Sequence, residues 1–215
     1  MLYGICMNND ERMLHLGRIH ALSDGIFAFS LTLMVLSFDI PHLAPSEVND
    51  KLAGAIWAQL PNFQSFIISF FVIGTFWFSH HQKFQYIKRY NKTFIWLNLI
   101  FLMFIAFLPF PTDLVGEYDT SFFAILFYSL SLALTGIAFI IMWVYATYKN
   151  RLTDSDFDSS LMWRGIATTA VIPAIFILSA VLSIIDVKLA KITWLLVFTA
   201  PFISKLISPK EVIDN

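Results

Sequence analysis

Of 215 residues, 58% are hydrophobic and 13% charged, the formal net charge is -1, and phenylalanine alone accounts for 23. A soluble domain carries roughly a quarter of its residues as Asp, Glu, Lys and Arg, so much of this surface must face something other than water, and a bilayer fits that composition. The missing basic excess argues against a nucleic-acid partner, which needs phosphate neutralisation. A single cysteine, Cys6, excludes an internal disulfide framework and a cysteine-based zinc site.

A membrane helix needs about 20 mostly apolar residues, and the charge-free intervals place six such spans in a single domain over residues 1–215. The first, 18–41, carries Asp24 and Asp39 near its ends. The second, 61–82, starts at Pro61; the third, 93–112, is expected to close at Pro109 and Pro111, where missing backbone donors stop a helix. The fourth and fifth cover 121–148 and 164–185. The sixth, 187–207, is the least apolar, because Lys188, Lys191 and Lys205 would have to snorkel. The expected fold class is an all-α membrane protein with six transmembrane helices.

Lys and Arg are enriched in cytoplasmic loops. Arg12, Arg18, Lys83, Lys88, Arg89, Lys92, Lys149, Arg151, Arg164, Lys205 and Lys210 fall on one side of this topology, and only Lys51, Lys188 and Lys191 on the other. A multi-pass protein of the cell membrane is expected, with both termini in the cytoplasm and Glu117 with its flanking aspartates outside. No charged, then apolar, then small pattern precedes Asp10, so no cleavable signal is expected.

Polar groups inside the spans carry the chemistry. An acid near mid-helix costs about 2.5–3.5 kcal/mol on insertion scales and is usually paired, so Asp24 is either a clasp to another helix or an interfacial residue among headgroups. At 3.6 residues per turn, Phe29, Thr32, Leu33 and Leu36 share an arc of about 100°. Asp24 lies off that arc beside Phe27, Leu31 and Phe38. The arc is either a functional stripe or ordinary helix packing. In the second span Gly74, Trp77 and His81 recur at helical spacing, and an indole donor and an imidazole suit Ser23 and Asp24. Asn98 in the third span is a further buried polar group able to join them.

Adjacent His80 and His81 point about 100° apart and lack the glutamate of a zinc motif, so no metal is expected. Residues 154–158 imitate the opening of a calcium loop, but Ser159 stands for its glycine and Gly165 for its closing glutamate, leaving a solvated loop. The acceptor motif Asn91-Lys92-Thr93 would lie in the cytoplasm, out of reach of glycosylation. No catalytic triad, phosphate-cradling loop or paired carboxylates appear, so neither an enzyme nor a cofactor is expected.

The stretch Arg18-x-x-x-Leu22-Ser23-Asp24 resembles the Arg-x-x-x-Phe-Ser-Asp signature of the transmembrane protein 175 family of potassium channels, in its bacterial form. The run from Phe76 through Trp77 and His81 to Phe84 is similar to that family's second-span block. The run from Trp96-Leu97-Asn98 to Pro109-Phe110-Pro111-Thr112 is similar to its third-span ending. The resemblance implies a homotetramer whose four first helices surround one cation pathway, without the Thr-Val-Gly-Tyr-Gly carbonyl filter that is also absent from this sequence. It places the pore constriction and selectivity on Phe29, Thr32, Leu33 and Leu36, the arc already picked out by helical geometry. It assigns Arg18, Ser23, Asp24, Trp77, His81 and Asn98 to a structural polar network, and potassium with other monovalent cations, the lipid bilayer and its own copies as partners. Leu22 departs from the motif phenylalanine, and Phe29 from the Ile or Leu usual at that position. A small secondary transporter using an Asp24 and His81 proton relay, or a scaffold without transport, remains an alternative.

Overall fold

The computed structural model describes residues 9–200, so the end of the sixth expected span, 201–207, lies outside the described residues, as do Cys6, Lys205 and Lys210. Within that range all regular structure is helical. Helix α1 covers Asn9–Leu33 and tightens into a 3-10 turn at Met34–Ser37; α2 covers Val48–Ala58, α3 Leu60–Phe84, α4 Lys92–Phe107, α5 Pro109–Glu117, α6 Phe122–Thr147, α7 Ser159–Ser183 and α8 Val187–Thr193, followed by a 3-10 turn at Trp194–Thr199. Five stretches are long and apolar enough to cross a bilayer: Gly17–Leu36, Leu60–Phe84, Lys92–Glu117, Phe122–Asn150 and Ser159–Ser183. The sixth expected span is, as far as it is described, a seven-residue helix and a 3-10 turn.

Three boundaries differ from expectation for physical reasons. The third span does not close at its prolines. Pro109 and Pro111 stand in the first turn of α5, where helix N–H groups have no intrahelical partner and a missing donor costs nothing. The Leu108 amide still donates to Phe104 O at 3.2 Å, and the Thr112 amide to Leu108 O at 3.2 Å, so the chain runs on to Glu117. Ahead of Pro61 stands a separate helix, α2, which takes in Asp50 and Lys51 before the uncharged run and none of whose side chains is buried. The fifth helix begins at Ser159 rather than 164, because the Asp158 carboxylate accepts the Ser160 amide at 2.9 Å and caps it. Two hydrogen bonds from Ser160, the hydroxyl's first and the amide's second, hold the exposed Asp158 carboxyl below its ordinary pKa.

Helix α6 is the most buried element and packs on α4, α5 and α7. Its core side chains Tyr128, Leu132 and Phe139 are fully covered. At Gly136 it meets Pro173 of α7 so closely that an added Cβ would lie 2.7 Å from the proline Cδ. Polar contacts cross the same core: Ser69 Oγ lies 2.8 Å from both Tyr128 Oη and Thr112 Oγ1. The Trp194 indole donates to Ser179 Oγ at 2.8 Å, seating the C-terminal segment on α7. Helix α1 stands at the edge and packs on α3 and α4.

The bundle's two ends are tied differently. At one end the α3–α4 and α6–α7 loops join through the Lys88 and Arg89 amides, which both donate to Leu152 O at 2.9 and 3.1 Å. At the other, the Lys191 ammonium donates to the Asp119 carboxylate at 2.7 Å. The Gln59 side chain donates to Asp39 O at 2.7 Å, linking the tail of α1 to the end of α2.

Candidate functional site

The α1 sequence divides into two faces with complementary spacing. Ser23, Phe27, Ser30 and Met34 are buried against α3 and α4, whereas Arg18, Leu22, Gly25, Phe29, Thr32 and Leu36 are exposed. Each set advances by alternating steps of three and four residues, which keeps it on one side of a helix. Phe29 is 61% exposed and Leu36 74%, although both lie within an apolar membrane-length stretch. Leu33 sits at the flank of this stripe, half-buried, so the expected arc is not uniformly open. The polar residues on the packed face satisfy themselves locally: Ser23 and Ser30 donate to Ile19 O and Ile26 O at 2.9 and 2.8 Å.

Thr32 is the one hydroxyl on the exposed stripe. Its proton is directed to the backbone, with Ala28 O at 3.0 Å and Phe29 O at 2.9 Å. The oxygen lone pairs are thereby left for an acceptor role, which is what a cation requires.

The polar residues behind this stripe form two separate links to neighbouring helices. The Trp77 indole donates to Asp24 Oδ1 at 2.9 Å, joining α3 to α1. The other link runs through the buried Asn98 of α4. Its amide nitrogen donates to Ser23 Oγ at 3.3 Å, and its amide oxygen lies 3.1 Å from His80 Nε2. An amide oxygen can only accept, so His80 carries its proton on Nε2, and the donors run in one direction: His80 to Asn98, Asn98 to Ser23, Ser23 to the backbone of α1. His80 is 1% exposed, stacked on Phe84 at 4.0 Å between ring centroids and on Phe101 at 5.8 Å.

Two members of the expected network, His81 and Arg18, stand outside these links. His81 is exposed, its ring 6.0 Å from that of Trp77 and 6.2 Å from that of His20, and it makes no hydrogen bond among the described residues. His80 takes the buried place because neighbouring residues of a helix point about 100° apart, and the α4 side of α3 is the side of Phe76, His80 and Phe84. Arg18 is exposed on the stripe face and has no polar partner among the described residues. His20, half-buried with its ring 4.7 Å from Phe84, went unread in the sequence. Asp24 has an indole as its partner, a group that does not titrate, and no hydrogen bond links it to His81 among the described residues. No group of three or more His, Cys, Asp or Glu among the described residues is arranged to hold a metal ion.

Comparison with known proteins places this part of the chain in a described family. Residues 18–109, from Arg18 through both polar links, match the family described as endosomal/lysosomal potassium channel TMEM175. A protein of Streptomyces collinus named as a potassium channel is 35% identical over 147 residues, 66% of this chain and 70% of its own length. A chicken (Gallus gallus) protein named as the endosomal/lysosomal proton channel TMEM175 is 34% identical over 108 residues, 47% of this chain but only 21% of its own length. Among solved structures, a lysosomal potassium-selective channel TMEM175 homolog from Chamaesiphon minutus superposes with a TM-score of 0.76 at 27% identity, over 88% of this chain and 98% of that one.

Proposed function

The chain belongs to the TMEM175 family, and from that membership we propose that it conducts potassium in preference to sodium along an axis enclosed by the α1 helices of four copies. The observation that carries this reading is the exposed stripe of α1. Large apolar residues and one hydroxyl turn away from their own subunit within an apolar stretch of membrane-spanning length, while the opposite face is packed and hydrogen-bonded.

On this reading Phe29, Leu33 and Leu36 form apolar rings that resist water, and the pathway opens when the helices spread and rewet it. Phe29 and Leu36 supply the narrowest parts, because Leu33 stands at the flank. The four Thr32 oxygens, with their protons committed to the backbone, replace part of the ion's hydration and favour the more cheaply dehydrated potassium. The Trp77 and Asn98 links fix the rotation of α1, so that these side chains face the axis. The protein sits in the cell membrane with its cation-rich end in the cytoplasm, and the conduction is passive, with no catalysis and no cofactor.

The test is bi-ionic recording from purified protein in planar bilayers. Potassium on one side and sodium on the other should give a reversal potential displaced toward the potassium equilibrium. Thr32→Ala should bring that potential toward zero while currents persist. Unchanged reversal with Thr32→Ala would remove the threonine from selection. Flux that requires a counter-substrate would replace the channel with a transporter.

A further inference from the structure

The docked α3–α4 and α6–α7 loops gather an excess of cations over acids among the described residues. Residues 85–92 contribute Lys88, Arg89 and Lys92 with no acid, and 148–164 contribute Lys149, Arg151 and Arg164 with three aspartates. Two of the six are used inside the fold: the Arg89 guanidinium donates to Thr153 O at 2.9 Å, and Arg151 lies over the Tyr145 ring at 4.4 Å. Lys83 is buried beside Phe139 and Trp143 and belongs to the core. Lys88, Lys92, Lys149 and Arg164 remain exposed, and the ion pairs among the described residues are Lys51–Glu47 and Lys191–Asp119, neither of which involves them. Of the nearby aspartates, Asp158 accepts from Ser160 and feels the Arg164 charge, Asp156 accepts from Ser155 at 2.9 Å, and Asp154 is exposed, so six cations stand against three acids.

Position along the helices says what these cations face. Lys92 opens α4, Lys149 follows α6 directly, and Arg164 lies in the second turn of α7, so all three stand where membrane-length helices end. Exposed aromatic residues accompany each of them. Trp96, 66% exposed, is one turn from Lys92 on the same face of α4; Trp163, 65% exposed, precedes Arg164; and Tyr148 carries the Lys149 ammonium 5.5 Å from its ring centroid. Tryptophan and tyrosine favour the headgroup level, and unpaired cations at that level attract anionic headgroups by about 1 kcal/mol each, roughly a fivefold effect on occupancy. Lys149 and Asn150 both hold positive φ, 54° and 52°, a backbone state uncommon for residues with a Cβ. That turn reverses the chain at the end of α6 and leaves Lys149 beside the helix end.

We propose that this surface binds anionic phospholipid headgroups of the adjoining leaflet, held by Lys88, Lys92, Lys149 and Arg164 and flanked by Trp96, Tyr148 and Trp163. The proposal rests on the helix ends lying at the membrane boundary and is independent of ion selectivity. Native mass spectrometry of purified protein from mixed phosphatidylglycerol and phosphatidylcholine should find phosphatidylglycerol retained in excess. Neutralising Lys92 and Lys149 together (K92Q, K149Q) should lower that excess by about fivefold for each cation removed. K188Q at the opposite end should leave it unchanged. Raised salt should erode the excess in the unaltered protein, which gives a readout should the double variant fail to fold. Equal retention of the two lipids by the unaltered protein, or an excess unmoved by both substitutions and salt, would overturn the proposal. Equal protection against thermal unfolding by soluble glycerol phosphate would also overturn it, by making the ligand a free anion. Currents in purely zwitterionic bilayers test conduction separately.

Discussion

Asn98 holds two helices by a single amide, and its value lies in the donor it satisfies. In Asn98→Leu the buried His80 Nε2–H loses its acceptor, and leaving such a donor unpaired costs about 1–3 kcal/mol. Trp77→Phe removes a bond at an exposed site and should cost about 1 kcal/mol or less. Thermal unfolding in detergent should therefore rank Asn98→Leu well below Trp77→Phe; the reverse order would mean that the buried chain of donors is not what holds α1. The residue types of this network were legible in the sequence, since polar groups within apolar spans demand partners. The choice of His80 over His81 was not, because it depends on which side of α3 meets α4, and that is fixed by the packing of Phe76, Phe84 and Phe101 rather than by any local pattern.

Elements were readable where a cap or a charge marked their ends. Helix α6 begins one residue after Ser121, whose hydroxyl accepts the Ala124 amide, and ends one residue short of its expected limit at Tyr148. Helices α2 and α5 escaped notice because an apolar run does not say whether it belongs to one helix or two, and a proline reads alike at a first turn and at a stop. Close approaches between elements were equally silent. Gly136→Leu should destabilise the α6–α7 pair by about 1–3 kcal/mol or more, because its first side-chain atom already meets the Pro173 ring; a stability equal to that of the unaltered protein would contradict the packing. The start of α7 should respond to acid. The Asp158 carboxyl is held below its ordinary pKa by Ser160, so the cap is intact above the ordinary carboxylate range and is lost as pH falls through the lowered value. The protection of the Ser160 and Leu161 amides, taken relative to the intrinsic exchange rate at each pH, should fall in acid, and Asp158→Asn should remove that pH dependence.

At the level of the whole molecule, the five long helices match the first five of the six spans read from charge-free intervals, but the assembly has to be inferred from what one chain leaves uncovered. Gly25 offers the sharpest probe. An added Cβ there meets nothing within 4 Å in its own subunit, yet Gly25 lies on the exposed stripe with Phe29 and Thr32. Gly25→Leu should leave subunit unfolding unchanged while altering conductance or the mass of the detergent-solubilised particle, the opposite of what Gly136→Leu does. Normal currents and a particle of unaltered mass would turn the stripe toward lipid instead. The single bond from Gln59 to Asp39 O then acquires a mechanical meaning. Because α2 has no buried side chain to hold it still, this tether couples it to the tail of α1, and under the proposed pore a tilt of α1 would be handed on to α2 through it.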